Sequence, residues 1–134
     1  MIRDFDIKYY PILRNYLNEA GIADEKIDVL NINTKVMLYK DKVIGFMSVD
    51  KIGKLCNLHH FFIDPRYRSI SKVIRLSDEL VKLARRSDCN NVSIHTDVGS
   101  RLDQYVHKYC SFRKLGIRKL NSPIEGINMY LVEV

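Results

Sequence analysis

The chain has 134 residues, 46% of them hydrophobic and 28% charged, which is typical of a globular domain and excludes a disordered or low-complexity chain. A net charge of +6 favours acidic ligands in general, whether nucleic acid, an anionic surface or a phosphorylated cofactor. Because no apolar run reaches the ~18 residues of a membrane span and the N-terminus lacks the apolar stretch of a signal peptide, we expect one cytoplasmic domain, 1–134, without a membrane partner.

The first third of the chain predicts a strand, a helix and a hairpin. A short strand is expected over Ile2–Phe5, and Tyr10-Pro11 is typical of a helix start. The apolar face of this helix consists of Ile12, Leu13, Tyr16, Leu17 and Ala20, and Gly21 ends it. The segment Ile22–Leu30 predicts one more helical turn.

Two runs, Thr34–Tyr39 and Lys42–Val49, alternate or stay apolar around a polar turn and therefore predict a hairpin. Gly45 in the second arm indicates a bulge. After a turn at Ile52–Lys54, we expect a fourth strand over Leu55–Ile63.

The stretch from Leu58 to Leu76 organises the chain. Its first half is apolar and aromatic, which predicts a strand covered on both sides, and Pro65 ends that strand. A helix is expected from about Ser71 to Arg86, because apolar residues recur there at helical spacing: Val73, Leu76, Leu80 and Leu83.

Cations surround the predicted start of this helix: Arg66, Arg68, Lys72 and Arg75. The first amides of a helix lack intrahelical acceptors, so amides and cations together could bind a phosphate or pyrophosphate. A strand-to-helix turn with a solvated basic rim is the competing interpretation.

The last third alternates strands and one helix. We expect a turn at Asp88–Asn91, a strand at Val92–Thr96 and a helix capped by Ser100. Two further strands are expected near Arg113–Leu120 and over Asn128–Val134.

The segment in which an apolar strand is followed by Pro, Tyr-Arg and a helix resembles the GCN5-related N-acetyltransferases (GNAT). The motif of that family is Val-x-Pro-x-Tyr-Arg/Gln-x-x-Gly-x-Gly/Ala. Ile63, Pro65, Tyr67 and Arg68 match it, whereas Ser71 and Val73 stand at the two glycine positions. The run Val43–Met47 is similar to the family's third strand. The order of elements along the whole chain also matches.

This resemblance implies an α/β (α+β) fold, the GNAT-like acyl-CoA N-acyltransferase fold, with a mixed sheet of six or seven strands and three or four helices. It implies acetyl-CoA, or another acyl-CoA, as cofactor. In the family the strands on either side of the long helix splay apart around the pantetheine arm. The residues implied at the cofactor are Phe61, Phe62, Ile63, Arg68, Ser69, Ile70, Ser71, Lys72, Val73 and Ser100.

Acyl transfer to an amine needs a group that accepts the amine proton and a group that protonates the departing thiolate. Leu58–Ile63 resembles the Leu-His-x-Leu-x-Val segment of arylalkylamine N-acetyltransferases, which makes His59 the candidate base, although water can relay the proton instead. By the family's Tyr-x-x-x-Gly-Phe helix end, His107 takes the acid's position, and a one-turn change would bring Tyr109 there.

Other sites are not supported by the sequence. The widely spaced Cys56, Cys89 and Cys110 form no Cys-x-x-Cys pair, so we expect reduced core thiols and neither a disulfide framework nor a zinc site. The histidines lack metal-ligand spacing, and no glycine loop of the Walker type occurs.

Three functions stay open. The first is an acetyl-CoA-dependent N-acetyltransferase acting on an amine of a small molecule or a protein. The second is a non-catalytic GNAT-fold structural or assembly protein, such as a virion component, since both motif glycines are replaced. The third is a nucleic-acid-binding module, indicated by the charge and by tyrosines interleaved with Lys and Arg. A homo-oligomer or larger assembly is compatible with the first two.

Overall fold

A computed structural model describes residues 1–21 and 33–134; the helical turn expected over Ile22–Leu30 lies outside the described residues. The elements are β1 (Ile2–Asp4), α1 (Tyr10–Glu19) preceded by a 3-10 turn (Ile7–Tyr9), β2 (Thr34–Tyr39), β3 (Lys42–Ile52), β4 (Leu55–Ile63), α2 (Ile70–Arg86), β5 (Asn91–Asp97), α3 (Arg101–Arg113), β6 (Ile117–Leu120) and β7 (Ile127–Glu133).

The strands form one seven-stranded sheet in the order β1-β2-β3-β4-β5-β7-β6. β4 and β5 are parallel, whereas the β1–β2, β2–β3, β5–β7 and β6–β7 pairs are antiparallel. This mixed sheet, with three α-helices in the described part of the chain, confirms the expected fold class. None of the described helices is long and apolar enough to cross a membrane.

The described residues divide into two compact units, and the single domain expected over 1–134 stays a prediction. The first unit comprises Met1–Asp50 and His59–Leu80. Its core joins α1 to the β2–β3 hairpin through Leu13, Tyr16, Leu17, Val36, Leu38, Val43 and Phe46.

The strand with a continuous buried run is β3, not β4. Every residue of Val43–Val49 is buried, whereas β4 buries only Cys56 and Ile63 and leaves His59 exposed. The prediction that the fourth strand is covered on both sides was therefore wrong. Its apolar composition correctly indicated a β-strand, but the burial of a strand depends on what packs on each face of the sheet.

The bulge predicted at Gly45 is present. Met37 pairs with Gly45 and Leu38 pairs with Val43, so the register shifts by one residue at this point. A Cβ atom on Gly45 would lie 2.7 Å from the carbonyl oxygen of Phe62, which means that β4 approaches the β3 backbone too closely for any side chain there.

The second unit comprises Lys51–Leu58 and Val81–Val134. In it the start of β4 pairs with β5 over three positions, Leu55 to Asn57 with Asn91 to Ser93. The sixth strand begins later than expected, at Ile117, because Arg113 is the last residue of α3 and Lys114 adopts a left-handed conformation (φ 58°) that ends the helix.

Candidate functional site

The turn after β4 is built on the buried carboxylate of Asp64, whose side chain is 4% exposed. It accepts hydrogen bonds from Arg66 N, Nε and Nη2 at 3.0, 3.1 and 2.7 Å. The Tyr16 hydroxyl lies 3.1 Å from Asp64 Oδ2 and 2.9 Å from the carbonyl oxygen of Val43, and its hydrogen is shared by these two acceptors. The Asp64 amide donates to the carbonyl oxygen of Ile44 at 2.7 Å. These bonds attach the turn to α1 and β3.

The protonation states of this network are well defined. Hydrogen bonds from Arg66 hold the pKa of Asp64 well below its usual range and outweigh burial, which alone would raise it. Burial, and then the hydrogen bond to Asp64, raises the pKa of Tyr16 to about 12. Near neutral pH Asp64 stays ionised and Tyr16 stays neutral, so both position the turn and neither exchanges protons.

Helix α2 begins one residue earlier than predicted, and Ser69 caps it. Ser69 Oγ accepts from the Lys72 amide at 3.3 Å, and the Ser69 carbonyl oxygen accepts from the Val73 amide at 3.1 Å. By their position in the first turn, the amides of Ile70 and Ser71 have no intrahelical acceptor. The Ser69 and Ser71 hydroxyls lie 3.2 Å apart, and Ile70 is 66% exposed. The helix therefore starts with two exposed residues whose amides lack intrahelical acceptors, beside two hydroxyls.

Val73, which replaces the second motif glycine, does not stand at this accessible end. It shares a helical face with the buried residues Leu76, Ser77 and Leu80, three, four and seven positions further on. Val73 itself is half-buried. Its side chain therefore belongs to the packed face of α2, and Ser71 is the replaced position that is exposed.

Arg68 folds back onto the strand it follows. Its Nη2 donates to the carbonyl oxygen of Ile63 at 2.7 Å, while the residue as a whole stays exposed. This contact brings the predicted cofactor residues Ile63 and Arg68 together at the end of β4. It also means that one backbone acceptor of β4 already has a partner.

A basic–aromatic cluster of Tyr39, Lys40, Lys42, Tyr67 and Lys72 lies on the first unit. The two tyrosine rings are 5.9 Å apart. Lys40 Nζ and Lys72 Nζ each lie 5.4 Å from the centre of the Tyr39 ring, and Lys42 Nζ lies 5.1 Å from the centre of the Tyr67 ring. Since Lys72 belongs to the first turn of α2 and lies over the Tyr39 ring, the cluster connects that turn with the end of β2.

The predicted pantetheine contacts lie on β4 and differ in burial. Ile63 is 2% exposed, and Phe61 and Phe62 are half-buried. The Phe62 ring packs between Tyr16 and Phe46, with ring centres 4.9 and 5.8 Å away. The Phe62 side chain thus packs against the core of the first unit.

The candidate base, His59, is exposed on β4 and has an acidic neighbour. Its Nε2 lies 3.8 Å from Oδ2 of Asp50, and both side chains are about one-third exposed (35% and 36%). The adjacent His60 is half-buried, with its ring centre 6.3 Å from that of Phe46. Of the two histidines, His59 is the more exposed.

The other predicted catalytic residues belong to the second unit, on α3. His107 is exposed and meets the Tyr130 ring edge-on, with ring centres 4.9 Å apart. Tyr109 is 8% exposed and stacks on Tyr105 at 5.8 Å. His107 is therefore accessible, whereas Tyr109 is a packed residue of the second unit.

Ser100, assigned above to the cofactor, acts as the N-cap of α3, since its Oγ accepts from the Asp103 amide at 3.1 Å. The Asp103 carboxylate in turn accepts from Tyr130 Oη at 2.6 Å, Thr96 Oγ1 at 2.8 Å and Asn128 Nδ2 at 3.1 Å. These bonds, led by that from Tyr130, hold the pKa of Asp103 well below its usual range. Burial, followed by the bond to Asp103, raises the pKa of Tyr130 to about 12.

Sequence reasoning missed the carboxylates of Asp64, which is buried, and of Asp103, which is half-buried. Asp103 stands three residues after Ser100, a capping-box spacing that could have indicated a role at the helix start. The contact between Asp64 and Tyr16 gave no such signal, because the two residues are 48 positions apart in the chain. No group of His, Cys, Asp and Glu in the described ranges could hold a metal ion.

Comparison with known proteins gives no match to a family profile and none to a curated sequence. Solved structures do match. Ard1 from Thermoplasma volcanium superposes with a TM-score of 0.81 at 16% identity, over 100% of this chain and 97% of that one. PaiA N-acetyltransferase from Thermoplasma acidophilum, solved with coenzyme A, superposes with a TM-score of 0.72 at 11% identity, over 100% of this chain and 98% of that one. A GNAT-family acetyltransferase from Staphylococcus aureus superposes with a TM-score of 0.71 at 12% identity, over 98% of this chain and 96% of that one.

The chain has the GNAT fold. All three structures are covered almost from end to end, so the likeness extends over the whole GNAT fold. The resemblance first seen in Ile63, Pro65, Tyr67 and Arg68 is thereby confirmed at the level of architecture.

Proposed function

We propose that this protein binds acetyl-CoA, or a related acyl-CoA, and transfers the acyl group to an amine. One observation carries the proposal: β4 leads into a helix whose first two amides lack intrahelical acceptors and lie beside two serine hydroxyls and Lys72. Such a donor set suits a diphosphate. The coenzyme A bound by PaiA, which has the same fold, supports the choice of ligand.

The residues present fit a diphosphate despite the lost glycines. The amides of Ile70 and Ser71 would donate to its oxygens, and Lys72 would add positive charge. Val73 lies on the packed face of α2, so its branched side chain is directed away from these amides. Lys40 and Lys42 would attract further phosphate groups of the ligand.

For the transfer itself, the cofactor would supply an acyl group activated as a thioester. His59 would accept the proton that the attacking amine loses, and Asp50 at 3.8 Å is a favourable neighbour for the imidazolium that results. His107, the exposed candidate on α3, stays the candidate acid that the resemblance to the family implies. Tyr109 is the weaker candidate, because it is packed against Tyr105.

Titration calorimetry with acetyl-CoA tests the proposal. We expect micromolar binding to the wild type and a loss of at least ~10-fold in Ser71→Glu, since a carboxylate beside the two amides would repel phosphate. Lys72→Ala should weaken binding as well. Lys82→Ala is the matched control, because Lys82 is an exposed lysine of the same helix away from its first turn, and it should bind as the wild type does.

A folded wild type that gives no heat with millimolar acetyl-CoA would exclude the enzyme and favour the non-catalytic structural protein. If the same protein were retained on single-stranded nucleic acid in a salt-dependent way, the third function would be favoured. The cluster favours a phosphate ligand over stacked nucleic-acid bases, because three ammonium groups already lie over the tyrosine rings on which bases would stack.

A further inference from the structure

Two cysteines that are distant in sequence meet inside the second unit. Cys56 is the second residue of β4, and Cys89 lies in the turn between α2 and β5. Their Sγ atoms are 2.8 Å apart, against about 2.05 Å for a covalent S–S bond. Cys56 is 1% exposed and Cys89 is 4% exposed.

Strand pairing holds the two thiols in this position. Cys56 is in register with Val92 in the parallel β4–β5 ladder. The Asn90 amide donates to the carbonyl oxygen of Lys54 at 2.8 Å, and the Cys89 amide donates to that of Ala84 at 2.9 Å. The backbones that carry the two thiols are therefore held by the ladder and by these hydrogen bonds.

We propose that Cys56 and Cys89 are an oxidation site that closes to a disulfide when a peroxide is present. One thiol attacks the peroxide, an S–O bond forms as the O–O bond breaks, and water leaves. The second thiol attacks the resulting sulfenic acid, the S–S bond forms as the S–O bond breaks, and a second water leaves. The two sulfur atoms supply the two electrons that reduce the peroxide.

The position of the pair gives the bond a structural effect. It would join the beginning of β4 to the residue that precedes Asn90 and β5, so the two parallel strands would be linked covalently where their pairing begins. The turn around Cys89 provides the route for a small oxidant. Asp88 and Asn90 on either side of it are exposed, and Asp88 adopts a left-handed conformation (φ 59°).

Cys110 offers an internal control. It lies in α3 and, at 2% exposed, is as buried as the pair, so a difference in reactivity would come from the contact between Cys56 and Cys89 and not from burial. Trypsin would release the three cysteines in separate peptides, 55–66, 87–101 and 109–113. Peptide mapping can therefore distinguish every pairing.

The experiment treats the folded wild type with hydrogen peroxide, alkylates the remaining thiols under denaturing conditions and maps the peptides. We expect a mass loss of two hydrogen atoms, a dithiothreitol-reversible link between 55–66 and 87–101, and an alkylated 109–113. The melting temperature should rise on the order of 10 °C, because the link closes a long loop in the unfolded chain. Cys110→Ala should behave identically, and Cys89→Ala should form no internal link and show no such rise.

Three results would overturn the proposal. Thiols of Cys56 and Cys89 that stay alkylatable after oxidation would mean that the pair does not react. Links found only between molecules, or only through 109–113, would assign the chemistry elsewhere. Sulfinic acid at either residue without a link would mean that the two sulfurs cannot bond in the folded protein.

Discussion

The contact between Gly45 and β4 makes a quantitative prediction for the variant Gly45→Ala. The added Cβ would lie 2.7 Å from the carbonyl oxygen of Phe62, whereas ordinary contacts begin at 3.4 Å. The obstacle is backbone, so β4 must move away from β3 by the difference of 0.7 Å. This movement strains the neighbouring 2.7 Å hydrogen bond from the Asp64 amide to the carbonyl oxygen of Ile44. We expect the free energy of unfolding to fall by about 2 kcal/mol.

Urea denaturation and thermal melting measure this loss, which corresponds to a melting temperature lower by roughly 7 °C. Gly53→Asn is the control: Gly53 has φ of 60°, which asparagine tolerates, and a Cβ added there would have no atom within 4 Å. It should cost less than about 1 kcal/mol. If Gly45→Ala were as stable as the wild type, the close approach of the two strands, and with it the argument for glycine in β3, would be wrong.

Three further predictions concern charged and titrating groups. Asp64→Asn places an amide donor against the donors of Arg66 and should lower the free energy of unfolding by about 2–3 kcal/mol at pH 7, as read by urea denaturation. Asp103→Asn should cost roughly 2 kcal/mol at pH 7. Because the pKa of Asp103 is lower in the folded protein than the ~3.9 of the unfolded chain, the ionised Asp103 stabilises the fold fully only above that pH. The difference in the free energy of unfolding between wild type and Asp103→Asn should therefore shrink as the pH falls below it. In the proposed enzyme, His59→Gln should flatten the acidic limb of the kcat/KM profile.

Matched controls separate these effects from general damage. Asp88→Asn removes an exposed carboxylate, 3.6 Å from Lys54, and should change stability by less than about 0.5 kcal/mol. His95→Gln removes an exposed histidine of β5 and should keep the wild-type pH profile. A pH-independent cost in Asp103→Asn would contradict the lowered pKa, and an unchanged acidic limb in His59→Gln would remove His59 as the base.

The elements themselves were predictable because their signals are local. Apolar residues at helical spacing predicted α2 to within one residue at its start, and Ser100 predicted the cap of α3. The hairpin and the bulge at Gly45 followed from alternation and from one glycine. The late start of β6 was missed, since a lysine gives no indication in the sequence that Lys114 adopts a left-handed conformation and ends α3.

The sequence by itself determined where strands and helices form and that the Pro65–Arg68 turn leads into a helix, because capping, periodicity and turn chemistry act over a few residues. Only the tertiary structure decided that β3 is the buried strand, that Asp64 receives a hydrogen bond from Tyr16, and that Cys56 touches Cys89. Burial and polar pairing depend on groups that are far apart in the chain and meet only when the sheet assembles.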